Sequence, residues 1–234
     1  MKLKLKIRGF VKASICLISL FFVMHLVVSY ESIVAGRERL FGLNHLFDLN
    51  GEQSLPSLYQ SLTLLLAGCL AIFVAINVKK SGGRYAGHWK ILAIIFTLMG
   101  IDESVSMHEF IGANMVGPAL HLEGKFHAAW LVFGIPLVIF FVLVFLPFFI
   151  SLSNRDKALF FLAGAIYVSG AALIEIPANL YSPTHGEHNL YFTTVSGIEE
   201  LFEMVGVLIL NTALLKKILQ GYGGAGIGFE VTND

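Results

Sequence analysis

Charge is scarce in this chain and evenly matched. Lys, Arg, Asp and Glu make up 14% of its 234 residues, where a soluble domain carries about 25%. Sixteen basic side chains balance sixteen acidic ones, and the lack of a basic excess excludes a nucleic-acid binder. Cysteine is limited to Cys16 and Cys69, without the spacing of a redox or zinc motif and too sparse for a disulfide scaffold. Both lie in apolar runs, where a free thiol is expected to pack as a small buried hydrophobe. Collagen, coiled coil and disordered chain fall to the same numbers. What the sequence does have is apolar surface: 56% hydrophobic residues and a mean hydropathy of +0.76. A polytopic membrane protein remains.

Six apolar stretches are long enough to cross about 30 Å of hydrocarbon as helices. They run over Phe10–Tyr30, Ser57–Val78, Ile91–Met115, Ala128–Leu152, Ala158–Leu180 and Val195–Leu215. Backbone polar groups must be paired within lipid, and the alternation of a β-barrel is absent, so an all-α transmembrane bundle is expected. The flanking charges orient it. Thirteen of the sixteen basic residues precede span one or stand in its opening turn (Lys12), follow span six or lie in the loops 79–90 and 153–157; only Arg37, Arg39 and Lys125 fall on the other side. The positive-inside rule then places both termini in the cytoplasm, in a bacterial inner membrane.

The first apolar run exceeds the roughly 7–15 residues of a signal-peptide core, so it is read as a retained helix. The outer loop 31–56 has room for a short interfacial helix around Arg37–Phe47. One domain is expected over 1–220, followed by a flexible Gly-rich cytoplasmic tail over 221–234.

Seven acids sit inside these spans: Asp102, Glu103 and Glu109 in the third, Glu175 in the fifth, and Glu199, Glu200 and Glu203 in the sixth. No Lys or Arg lies within the same spans to pair with them. A charged carboxylate at a helix centre costs about 2.5–3.5 kcal/mol on insertion scales, so seven facing lipid would be prohibitive. They must face inward and be protonated, hydrated or bound to a cation.

Depth and face agree with one another. At 1.5 Å per residue, Asp102 lies near the midplane and Glu109 about 10 Å further out. Glu175, Glu199 and Glu203 reach the same outer layer from two other helices. At about 100° per residue, Asp102, Ser106, Glu109 and Ala113 form one stripe. Ala171, Glu175 and Asn179 form a second, and Ser196, Glu199, Glu203 and Gly206 a third. Glu103 and Glu200 fall about 100° off their stripes, and His108 about 120° from Asp102. Small residues from Gly164 to Ala172 permit span five to approach its neighbours closely.

The expected function is binding of a divalent metal (Fe, Mn or Zn) in the outer half of the bundle. Glu109, Glu175, Glu199 and Glu203 are the candidate ligands, joined by Asp102, His108 and His127. A metal-activated species acting on a lipid-soluble substrate would suit the location. The same acids also suit a proton- or cation-coupled transporter or channel, although the sequence marks no inverted repeat and no clearly broken helix. A structural network of protonated carboxyls is the third use. Known chemistries are less well served. The Ser, Asp and three His of alkaline-ceramidase-like membrane hydrolases include a His-x-x-x-His pair in the last helix, and span six contains no histidine. Retinal-type chemistry lacks a mid-helix lysine.

Overall fold

The computed structural model describes residues 3–37, 42–51, 53–121, 127–221 and 229–233. The apolar runs are helical, the third of them in broken pieces. A strand β1 (Leu3–Lys6) leads into α1 (Ile7–Ile33), and a short α2 (Leu43–Phe47) lies in the first outer loop. Then follow α3 (Leu55–Lys80), α4 (Ala86–Val105), α5 (Met107–Ile111), a wide π-type turn over Gly112–Val116, and α6 (Gly117–Ala119). A 3-10 turn over His127–Trp130 opens α7 (Leu131–Ser151). Next come α8 (Asn154–Val168), a second π-type turn over Ser169–Ile174, α9 (Glu175–His185), α10 (Leu190–Gly221) and β2 (Phe229–Thr232). Of the short helix expected around Arg37–Phe47, residues 38–41 lie outside the described residues, and α2 forms over Leu43–Phe47.

Local chemistry sets the helix starts. Ser54 caps α3 by accepting from the Ser57 amide (3.2 Å), with Pro56 just inside the helix, and Ser153 caps α8 through the Asp156 amide (3.2 Å).

Four helical segments are long and apolar enough to cross a membrane: 7–33, 55–80, 131–151 and 154–182. The bent unit 86–119 makes a fifth if it is counted as one span. These are compatible with a multi-pass integral membrane protein. The helix expected as a sixth span forms as α10, but carries Glu199, Glu200, Glu203, Lys216 and Lys217 along its length.

One expectation of continuity is corrected, and the fifth span, though continuous, is locally widened. The third span is not one helix: α4 ends at Val105, Ser106 turns through the left-handed region (φ 48°, ψ 45°), and the chain restarts at a 71° angle. Asp102 makes this break affordable by accepting from the His108 amide (2.9 Å), the task of a helix cap performed from within the preceding helix. The fifth span widens into its π turn just before Pro177. A proline ring collides with the carbonyl four residues back, and the wide turn over 169–174 contains that carbonyl.

The core is segregated along the bundle. At the end holding the termini, Ile7, Ala67, Ala71, Val74, Trp89, Phe148, Leu214 and Ile218 form a continuous apolar cluster. There β1 pairs in parallel with β2, Leu3 opposite Phe229 and Lys6 opposite Thr232. Thus 229–232, within the segment read as a flexible tail, carries a strand; residues 222–228 lie outside the described residues. Lys217 adds an ion pair to Asp156 (2.8 Å) and lies over the Trp89 ring. Towards the opposite end the buried set turns polar, with His25, Ser57, Gln60, Ser61, Glu175, Ser196 and Glu203.

The expectation of buried thiols fails. Cys16 and Cys69 are both exposed on the helix exterior and unpaired with each other. In a membrane the outside is apolar too, so a small apolar side chain in an apolar run does not reveal which way it faces.

Close approaches hold the helices in register. Ser61 donates to the Gly100 carbonyl (2.6 Å), joining α3 to α4, and Asn211 of α10 donates to the Thr63 carbonyl (2.9 Å). Gly170 and Gly206 bring α8 and its π turn against α10. A Cβ on Gly170 would lie 2.7 Å from the Glu199 carbonyl, and one on Gly206 2.9 Å from the Tyr167 backbone nitrogen. Gly164, in the same small-residue stripe, faces open space. A Gly206→Ala variant is therefore expected to lose about 1–3 kcal/mol through overpacking, read as a lower thermal midpoint in detergent, while Gly164→Ala leaves the midpoint unchanged or raised.

Candidate functional site

The break at Ser106 builds the first half of the site. Because the chain turns there, His108 folds back onto Asp102 instead of standing about 120° away on a continuous helix. One Asp102 oxygen accepts from the His108 backbone amide, and the other lies 2.6 Å from its Nδ1. With Nδ1–H donating to the carboxylate, Nε2 is the ring nitrogen left for a proton or a cation. Asp102 spends both oxygens on this task and acts as a positioning group.

A second carboxylate is held across the bundle. Glu175, at the start of α9, accepts from the Trp130 indole Nε1–H through both oxygens, at 2.9 and 3.1 Å. The Trp130 ring meets the His108 ring edge to face at 5.1 Å. Gly112 allows this, since a Cβ there would lie 2.8 Å from the Trp130 backbone nitrogen. Asp102, His108, Trp130 and Glu175 thus form a polar-aromatic line joining α4, α5, the 3-10 turn before α7, and α9.

Glu203 anchors the third part. It is buried on α10, and the Tyr167 hydroxyl and Gln60 amide lie against its carboxylate. Gln60 is itself 1% exposed, so its amide meets Glu203 inside the bundle and not at the surface.

The acids of all three spans lie within electrostatic reach of one another. Glu199 feels Glu175, Glu203 and Glu109; Glu103 feels Glu203, Asp102 and Glu109; Glu200 feels Glu103 and Glu203. Glu103 and Glu200, set apart by helical periodicity, therefore belong to the cluster. His108 is the basic group that Glu103, Glu175 and Glu203 share. Electrostatic reach is looser than coordination: among the described residues no group of three His, Cys, Asp or Glu side chains is placed to hold a metal ion. The side chain of His127 lies outside the described residues, as does that of Asn179.

Three partners escaped the sequence reading: Trp130, Tyr167 and Gln60. Gln60 had a signal, being an amide in the otherwise apolar stretch that follows Pro56. Trp130 and Tyr167 had none, because aromatic residues are ordinary membrane-helix material.

His25 takes no part in this cluster. It is fully buried, accepting at Nδ1 from the Leu49 amide (3.1 Å) and donating from Nε2 to the Thr193 carbonyl (2.9 Å). It is a structural clasp between α1, the first outer loop and α10.

No curated protein and no solved structure matches the chain. Residues 15–218 match a family described as a domain of unknown function, DUF8692, and the chain belongs to that family.

Proposed function

We propose that the chain is a six-helix membrane protein that binds a cation in exchange for protons at this acidic site. Both termini would face the cytoplasm, and the site would open towards the other side. One observation carries the reading: seven acids from three helical units lie within electrostatic reach of one another, and among the described residues the basic group acting on five of them, Asp102, Glu103, Glu109, Glu175 and Glu203, is His108. An excess of negative charge inside a bilayer must be relieved by protons or by a cation, so the two compete. The topology is supported by the biased basic residues and by the β1–β2 pairing, which brings both termini to one end.

A divalent Fe, Mn or Zn ion is the favoured cation. Glu109, Glu175, Glu199 and Glu203 would be its ligands, with the amide oxygen of Gln60 and Nε2 of His108 within the same site. Binding would require these side chains to draw together from the positions they now hold. Titration of the purified protein with Mn2+, Fe2+ or Zn2+ in weak buffer should release protons, and Glu203→Gln should weaken uptake at least about tenfold. Stoichiometric binding without proton release, or none of these ions bound, overturns the proposal.

A second reading, movement of the cation or proton across the membrane, is favoured by the break at Ser106 and the π turn before Glu175. Interrupted helices at membrane depth are a recurrent feature of transporters. Ion flux into liposomes under a pH gradient, abolished in Asp102→Asn, would separate transport from a resident ion. A purely structural carboxyl network predicts impaired assembly and neither phenotype.

A further inference from the structure

A second polar feature lies at the other end of the bundle, away from the acids. A cleft of about 350 Å³ opens between the start of α1 and the end of α10, lined by Ile7, Arg8, Val11, Lys12, Thr212, Lys216 and Asn233. That volume is near the lower end of the roughly 300–1,000 Å³ of small-molecule sites, suited to a headgroup and not to a whole lipid.

The charges in the cleft are one-sided. Arg8 and Lys12 lie four residues apart on α1, and Thr212 and Lys216 four residues apart on α10, so the two pairs line one slot. The described lining contains no carboxylate, and Arg8, Lys12 and Lys216 make no ion pair among the described residues. The neighbouring Lys217 differs, being engaged by Asp156. Two of the free cations stand in the first turns of a long helix whose opening turn holds no acid. The positive end of the helix dipole adds to their mutual repulsion there. Such an arrangement gains from a bound anion.

The surroundings choose among anions. Ile7 and Val11 give the slot an apolar floor, and Ile15, one turn beyond Lys12, is 52% exposed on the outside of α1. A ligand with a phosphate in the slot therefore has an apolar surface beside it for an acyl chain. We propose that this cleft binds the phosphate headgroup of an anionic phospholipid from the leaflet facing the chain termini, with Arg8, Lys12 and Lys216 as its contacts.

The test is native mass spectrometry of the full chain in detergent, with phosphatidylglycerol as probe, phosphatidylcholine as the zwitterionic control and inorganic phosphate as competitor. One phosphatidylglycerol should be retained in preference to phosphatidylcholine, and the triple variant Arg8→Gln, Lys12→Gln, Lys216→Gln should reduce its occupancy at least about tenfold. The variant Lys79→Gln, Lys80→Gln, altered on the exposed end of α3, should bind as the parent does. Should the triple variant not fold, Lys216→Gln alone and the salt dependence of occupancy in the parent give the same reading. Equal occupancy in parent and variant, equal retention of the two lipids, or displacement by millimolar inorganic phosphate overturns the proposal.

Discussion

Replacing His25 by Ala is expected to remove about 3–5 kcal/mol of stability, the largest effect of any single substitution considered. The ring is fully buried and satisfies two backbone groups from different segments, the Leu49 amide and the Thr193 carbonyl. Leaving a buried donor or acceptor without its partner costs about 1–3 kcal/mol each, and the vacated volume adds a cavity penalty. The expected readout is a steep fall in thermal midpoint and in the monodisperse fraction of purified protein. His25→Gln, which retains one donor and one acceptor, should recover part of the loss. Gly197 provides an internal check, because a Cβ there would lie 2.7 Å from the imidazole. Gly197→Ala should destabilise the parent and do little in the His25→Ala background, a coupling that a double-mutant cycle measures. An unchanged midpoint in His25→Ala would show that the clasp does not hold α1, the first outer loop and α10 together.

Asp102 is expected to produce the second-largest effect and to divide it between fold and function. Its carboxylate does two jobs, capping α5 through the His108 amide and fixing the His108 ring through Nδ1. A lost cap costs about 0.5–2 kcal/mol, and a lost hydrogen bond to a charged group about 1.5–3 kcal/mol. The side chains of Asp102 and His108 are each 32% exposed, which favours the lower values. Asp102→Ala should therefore lose about 2–3 kcal/mol. Asp102→Asn keeps an oxygen for the amide and should lose less stability, yet it no longer offers a carboxylate to Nδ1–H. If His108 takes part in proton or cation exchange, Asp102→Asn should impair exchange more than its stability loss explains. Equal stability and equal exchange in both variants would mean that the Asp102–His108 pair is incidental to the site.

Helix positions were legible because lipid and core select the same residues: a run of about twenty apolar side chains must pair its backbone internally. The acids were legible for the opposite reason, since an ionisable group in such a run is too costly to be accidental. Their gathering was expected from a common depth, which one-dimensional spacing encodes. Neither argument reaches the interruption at Ser106, where no Pro or Gly marks the chain and a side chain four residues earlier supplies the cap. Once the helix breaks, the 100° rule no longer holds across it, and His108 changes from a border residue to the partner of Asp102. The direction of Cys16 and Cys69 was hidden because an apolar exterior erases the inside–outside contrast on which burial arguments depend.

The sequence by itself determined that this chain forms long apolar helices and that acids lie within three of its apolar runs. It did so because membrane insertion is governed by composition and length, both properties of the chain taken in order. Only the tertiary structure decided who partners whom: Trp130 with Glu175, Gln60 and Tyr167 beside Glu203, and His25 with two distant backbone groups. Those pairings depend on helix rotation, on one sharp turn and on glycine contacts a few tenths of an ångström tight, and no pattern along a single strand of sequence records them.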